Sequence, residues 1–131
     1  MKRRVLCLAT ILSVLVGCSG HTNPGMAASL ARDEVIKRAK AGALKSDADG
    51  NAVLPAELKA ASVEGRVYMS SAAAETGVAI VFVFSQSPES TMAYLYCDAK
   101  VPPNGSALRV GSSQWKVQRI SDAHWALVSK L

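Results

Sequence analysis

The chain has 131 residues, enough for one domain, and half of them are hydrophobic, which is enough to build a core. Its formal charge of +5 includes three basic residues within the first four positions. Nucleic-acid binding requires a clustered basic face, so this charge does not favour a nucleic-acid partner.

The N-terminal segment has the layout of a secretory signal. Lys2, Arg3 and Arg4 form a short basic start, and the following segment, 5–16, is almost wholly apolar. A helix needs roughly 20 apolar residues to cross the hydrocarbon core of a bilayer. The run is therefore too short to remain as a membrane span.

The apolar run ends in the sequence Leu-Val-Gly-Cys at positions 15–18. Residues 1–19 thereby resemble the lipobox signal peptide of bacterial lipoproteins. The resemblance implies cleavage before Cys18, diacylglycerol on its sulfur and acylation of its new amine, and several acyl chains would hold the protein firmly at a membrane. Ser19 resembles the residue of outer-membrane lipoproteins. We therefore expect a periplasm-facing anchor at Cys18, in the outer rather than the inner membrane.

Cleavage would change both the charge and the organisation of the chain. Removing residues 1–17 leaves 114 residues, with twelve basic against ten acidic ones, a net charge of +2. We expect a signal peptide over 1–17, a lipidated cysteine and flexible tether over 18–28, and a single domain over 29–131. Cys97 would be the one cysteine without lipid, and we expect it to be a small buried hydrophobe.

A helix is predicted over residues 29–45. Ser29 is a suitable N-cap, acidic residues lie near the start, and basic residues lie toward the end. Small apolar residues, Gly42 among them, share one stripe. The acidic turn 46–51 should end the helix, and short turns are expected over 55–62.

From residue 66 onward the pattern is that of strands. The segment 77–85 is apolar on both faces, so it should be a central strand covered on both sides. The connections are too short for helical crossovers, so neighbouring strands should be antiparallel. The predicted fold is α+β, with an N-terminal helix packed on a five- to six-stranded antiparallel meander sheet. The candidate strands are 66–70, 77–85, 91–98, 107–110, 114–120 and 124–130.

Sequence motifs of the common catalytic classes are absent. There is no nucleophile elbow, phosphate-binding glycine loop, zinc-protease histidine motif or paired Cys-x-x-Cys. We therefore expect no catalytic residues, cofactor or metal, and a non-enzymatic domain that binds or braces a periplasmic protein partner. The alternative is a thiol- or metal-dependent enzyme that uses Cys97 and His124, with Asp98 and Asp122, if the strands 91–98 and 124–130 lie close together.

A second alternative is a weak calcium-binding module at Asp47 and Asp49. These residues and Gly50 resemble the middle of an EF-hand loop. With Gly50 at the sixth position of that loop, Lys45 and Ala56 would stand where carboxylate ligands are required. An acidic turn is therefore the favoured interpretation.

Two further sets of mostly aromatic residues are candidates for a binding surface or for the core. Met92, Tyr94 and Tyr96 share one face of the candidate strand 91–98 and are a possible ligand or partner face. If the helix covers that face, the same residues are core. Trp115 and Trp125 lie on successive strands, and two roles are open for them: a cross-strand pair, or packing in the core.

Overall fold

The computed structural model describes residues 24–70 and 77–131. The expected signal peptide, Cys18 and the first part of the expected tether lie outside these residues. Within them the fold is mixed α+β, with one main helix and one antiparallel sheet, as predicted. The elements are α1 (Pro24–Lys40), β1 (Asn51–Val53), a 3-10 helix (Ala56–Ala61), β2 (Arg66–Met69), β3 (Ala79–Gln86), β4 (Thr91–Cys97), β5 (Ala107–Val110), β6 (Ser113–Ile120) and β7 (Trp125–Lys130).

The strand order is β1-β2-β3-β4-β7-β6-β5, and every neighbouring pair is antiparallel. The predicted meander is therefore wrong beyond β4, because β4 pairs with β7 and the β5–β6 hairpin lies on the far side of β7. The predicted number of strands is also too low. The three residues of β1 include the end of the predicted acidic turn, and they are too few to show a strand pattern.

Helix α1 begins and ends five residues earlier than predicted. Ser29 lies in its second turn and is not the N-cap, and residues 24–28, expected in the tether, are helical. Pro24 suits the first helical position because its φ angle is already fixed near the helical value. Within the described residues, no helix is long and apolar enough to cross a membrane.

Gly42 explains the early end of α1. Its φ is +74°, and the Ala43 N–H donates to the Arg38 carbonyl at 2.8 Å while the Gly42 N–H donates to the Ala39 carbonyl at 3.1 Å. This pair of bonds is a Schellman motif, which terminates a helix at a left-handed residue. Gly42 therefore ends the helix and does not contribute to its packing stripe.

The sheet buries apolar side chains on both faces. β3 is central, and Ile80, Val81, Phe82 and Val83 are all 0% exposed, which confirms the predicted two-sided burial. We call the cluster beneath α1 the helix-side core and the cluster within the curl of the sheet the inner core. The helix-side core includes Val35, Ala39, Leu54, Val67, Ile80, Phe82 and Tyr96, and the inner core includes Tyr68, Val81, Val83, Leu95, Cys97, Trp115, Val117 and Val128.

The two tryptophans do not pair with each other. Trp115 lies opposite Lys130 and belongs to the inner core, whereas Trp125 lies opposite Tyr96 and packs against the helix-side core. The alternative of a cross-strand pair is therefore wrong. Side chains on successive positions of a strand point to opposite faces, and the register places the two indole rings on opposite sides of the sheet.

The sheet curls until the ends of its two edge strands meet. Gly50, just before β1, lies against Gly111, just after β5, and the Ser112 N–H donates to the Asp49 carbonyl at 2.8 Å. Both glycines have positive φ, and a Cβ on Gly50 would stand 2.5 Å from the Gly111 Cα. Only a residue without a side chain allows this approach of two backbones. The contact closes the sheet into a half-barrel.

Candidate functional site

Helix α1 covers most of the face of β4 that carries Met92, Tyr94 and Tyr96. Tyr96 is 8% exposed and belongs to the helix-side core, whereas Tyr94 and Met92 are half-buried. Tyr96 is therefore packed in the core. Tyr94, by contrast, reaches a depression between the helix and the β6–β7 turn.

This depression is a cleft of about 300 Å³. The rings of Tyr94 and Trp125 form part of its wall, and the helix and the turn contribute polar side chains. We call it the Arg32–Trp125 cleft. Its lining residues are Ser29, Arg32, Asp33, Tyr94, Ser121, Asp122 and Trp125.

Arg32 is held in the cleft by an aromatic ring and not by a carboxylate. Its guanidinium carbon lies 4.9 Å from the centroid of the Tyr94 ring, which is itself stacked on Phe84 at 4.5 Å. A ring face attracts a cation, so the contact fixes the side chain without occupying its N–H donors. In the part of the chain that the structure describes, Arg32 makes no ion pair. Its donors are therefore available to a ligand.

The opposite wall of the cleft is fixed by Asp122. Its Oδ1 accepts hydrogen bonds from the backbone N–H of His124 at 2.8 Å and of Trp125 at 2.9 Å. Such an Asx turn sets the backbone conformation at the start of β7. The Trp125 ring then stacks on Phe82 at 6.0 Å and meets Tyr96 edge-on at 5.2 Å. The cleft is thus preformed on rigid elements.

An ion pair covers Tyr96 next to the cleft. Lys40 Nζ lies 3.0 Å from Asp98 Oδ1, and the Tyr96 hydroxyl donates to the same oxygen at 2.9 Å. Burial raises the pKa of the Asp98 carboxyl, but the hydrogen bonds from Lys40 and Tyr96 outweigh it, so this pKa lies below its ordinary value. The polar end of Tyr96 is therefore already satisfied within the domain.

The candidate pair of Cys97 and His124 does not have the geometry of a nucleophile and its base. The thiol belongs to the inner core, whereas the imidazole stacks on Tyr96 on the helix side, with ring centroids 6.2 Å apart. His124 Nδ1 lies 3.0 Å from the backbone oxygen of Cys97. Burial, and then the charge of Asp98, raises the pKa of the Cys97 thiol to about 11. Among residues 24–70 and 77–131, no group of three or more His, Cys, Asp or Glu side chains could hold a metal ion.

Thiol labelling tests this arrangement. At pH 8, a pKa of about 11 leaves on the order of one thiolate per thousand molecules, whereas an ordinary thiol is roughly a quarter ionised. We expect an alkylating reagent to modify Cys97 more than about 100-fold more slowly in the native protein than in guanidinium. Peptide mass mapping identifies the modified position. Equal rates in the two states would restore the thiol-enzyme alternative.

The two acids of the calcium alternative lie in a tight turn. Asp47 Oδ1 accepts the backbone N–H of Asp49 at 2.8 Å and that of Asn51 at 3.0 Å. The bond from Asn51 contributes most to holding the pKa of the Asp47 carboxyl below its usual value. This oxygen therefore helps to form the turn that leads into Gly50.

Sequence reasoning did not identify five residues as part of a cleft: Ser29, Arg32, Asp33, Ser121 and Trp125. A charged residue on the solvent side of a helix carries no signal of its own. Phe84 is the extra residue of a bulge between Val83 and Ser85, where the register with β4 shifts. Only the three-dimensional structure brings Phe84 against Tyr94 and thus shows how Arg32 is supported.

These features define a small α+β domain with a half-barrel sheet and a preformed cleft that is both polar and aromatic. No protein-family model, no curated protein and no solved structure matches the chain. The cleft is therefore interpreted from its own chemistry.

Proposed function

We propose that the protein is a lipid-anchored module of the bacterial envelope that binds a periplasmic protein partner in the Arg32–Trp125 cleft and is not an enzyme. The cleft, in which the Arg32 guanidinium is supported on an aromatic ring and makes no ion pair with any described residue, is the observation that carries the binding function. The anchor rests on the lipobox resemblance of residues 1–19. Ser19 supports the outer membrane as the location.

The chemistry of the cleft favours a peptide segment, because one cationic donor, Arg32, lies beside two carboxylate acceptors, Asp33 and Asp122. Arg32 can donate two parallel hydrogen bonds to a carboxylate. Asp33 and Asp122 can accept hydrogen bonds from peptide N–H groups, and the two rings offer apolar surface. Pockets for whole small molecules have volumes of about 300–1,000 Å³. The cleft is at the lower limit of this range, so it is better suited to one or two side chains of a partner than to a cofactor.

The arrangement around Cys97 supports a function without catalysis. The thiol and the His124 ring lie on opposite sides of the sheet, and the thiol pKa is far above neutral pH. The acids nearest to them, Asp98 and Asp122, are engaged by Lys40 and by backbone N–H groups. These contacts stabilise the fold.

A photo-crosslinking experiment in the bacterium tests the proposal. A benzoylphenylalanine at Ser29, in the cleft, should form a defined adduct, and one at the exposed Lys116 of β6 should not form it. Arg32→Ala should remove the adduct, because the loss of a central arginine in an interface weakens binding by about 2 kcal/mol, roughly 30-fold.

Arg38→Ala is the matched control. Arg38 lies on the same helix but pairs with Glu34 and Glu57 outside the cleft. The Ser29 adduct should persist in this variant. An adduct that survives Arg32→Ala, or one that forms equally from position 116, would refute binding through the cleft.

A further inference from the structure

A second depression lies on the other side of Arg32. It is a groove of about 560 Å³ between the first turn of α1, the end of the 3-10 helix and the bulged end of β3. We call it the Val63–Phe84 groove. Its lining residues are Gly25, Ala27, Ala28, Arg32, Ala60, Ala61, Ser62, Val63, Val83 and Phe84.

Part of the exposed apolar surface of the domain lies in this groove. Seven large hydrophobic residues are exposed among those that the structure describes, and two of them line the groove. These two residues are Val63, which is 60% exposed, and Phe84, which is 37% exposed. Exposed apolar side chains that share a groove form a surface suited to contact with another apolar phase.

The position of the proposed anchor indicates that the groove faces the membrane. Only six residue steps separate Cys18 from Pro24, and six residues span at most about 20 Å. This distance is shorter than the diameter of a small domain, about 30 Å. The groove begins at Gly25, one residue into α1. If Cys18 is inserted in a bilayer, this end of the domain cannot leave the neighbourhood of the membrane surface.

The charge of the groove suits a phospholipid surface. Arg32 is its one charged lining residue, and no carboxylate lines it. The apolar side chains can therefore enter the boundary between headgroups and acyl chains without bringing a carboxylate against anionic lipid. Because the tether makes this contact intramolecular, the contact requires less affinity than one made from solution.

We infer that the Val63–Phe84 groove rests on the phospholipid bilayer and orients the domain on it. This inference depends on the proposed lipid anchor at Cys18. In the oriented domain, Arg32 lies between the membrane-facing groove and the Arg32–Trp125 cleft, because it lines both. The cleft then faces partners that lie close to the membrane surface.

Spin labelling of the full-length lipidated protein tests the inference. Nitroxides are attached to Val63→Cys and, as a matched control, to Val53→Cys, both in a Cys97→Ala background. Val53 is 71% exposed on β1, and it points away from α1 because its neighbour Ala52 belongs to the helix-side core. Each protein is reconstituted into vesicles of phosphatidylethanolamine and phosphatidylglycerol.

The readout is the ratio of collisions with oxygen, which concentrates in the bilayer, to collisions with a water-soluble nickel complex. We expect this ratio to rise several-fold on reconstitution at position 63 and to stay unchanged at position 53. Equal ratios at both positions would overturn the inference. Spin–spin broadening at position 63 would show that a second copy of the chain covers the groove, and this result would also overturn the inference.

The anchor and the groove fail in distinguishable ways. Mass spectrometry of the same sample reports whether Cys18 carries lipid. Equal collision ratios at positions 53 and 63 in the lipidated protein would refute only the membrane-facing groove. A protein without lipid would refute the anchor and, with it, the inference.

Discussion

Gly50→Ala should lower the free energy of unfolding by about 2–5 kcal/mol, whereas Gly105→Ala should lower it by only about 1–2 kcal/mol. Both glycines have nearly the same positive φ, +85° and +84°, so alanine carries the same backbone penalty at each position. The two sites differ in the space around the missing side chain. A Cβ at Gly105 meets nothing within 4 Å, whereas one at Gly50 would overlap the backbone of Gly111.

The difference between the two variants therefore measures the closure of the half-barrel. A backbone atom cannot move aside as a flexible side chain can, so the Gly50 variant must separate the two strand ends or strain them. Urea unfolding followed by tryptophan fluorescence gives both free energies. Equal losses at positions 50 and 105 would mean that the edge strands do not meet as described.

Trp115→Ala should lower the free energy of unfolding by about 3–5 kcal/mol, the range for removing a large aromatic side chain from a core. Trp115 is 0% exposed, lies in the inner core and has its ring centroid 5.7 Å from that of Tyr68. A domain of this size has a total stability of about 5–15 kcal/mol, so this one substitution removes a large share of it.

Trp115→Phe tests how much of this loss comes from side-chain volume. The indole N–H has no acceptor among the described residues, so phenylalanine loses mainly volume and should cost much less than alanine. Unfolding is followed by far-UV circular dichroism, since the substitution removes a fluorophore. A loss for Trp115→Ala well below the range for core aromatic residues would show that Trp115 does not fill the inner core.

The local elements were predictable from the sequence, and their long-range arrangement was not. The apolar run of β3 indicated a central strand, and the periodicity indicated the helix. Gly42 carried the signal of the helix end, because a glycine after basic residues is typical of a C-terminus. Asn23 before Pro24 is likewise typical of a helix start. The pairing of β4 with β7 depends on contacts between distant residues that no local pattern contains.

The candidate site was predictable only in part. The alternation of residues 91–98 placed Tyr94 and Tyr96 on one face, but the sequence did not show how far the helix would cover it. The structure covers Tyr96 and leaves Tyr94 at the edge of a cleft. Helix α1 places Arg32 over the Tyr94 ring and Lys40 over the Tyr96 ring, and these contacts between distant residues could not be predicted from either segment alone.

The intact mass of the protein isolated from the bacterial membrane fraction shows whether Cys18 carries the lipid anchor. We predict a chain that begins at Cys18 and carries a diacylglyceryl group on its sulfur and an acyl chain on its amine. A Cys18→Ala variant should carry no lipid and leave the membrane fraction. A wild-type protein that retains the residues before Cys18, or that starts at Cys18 without lipid, would contradict the lipid anchor at Cys18.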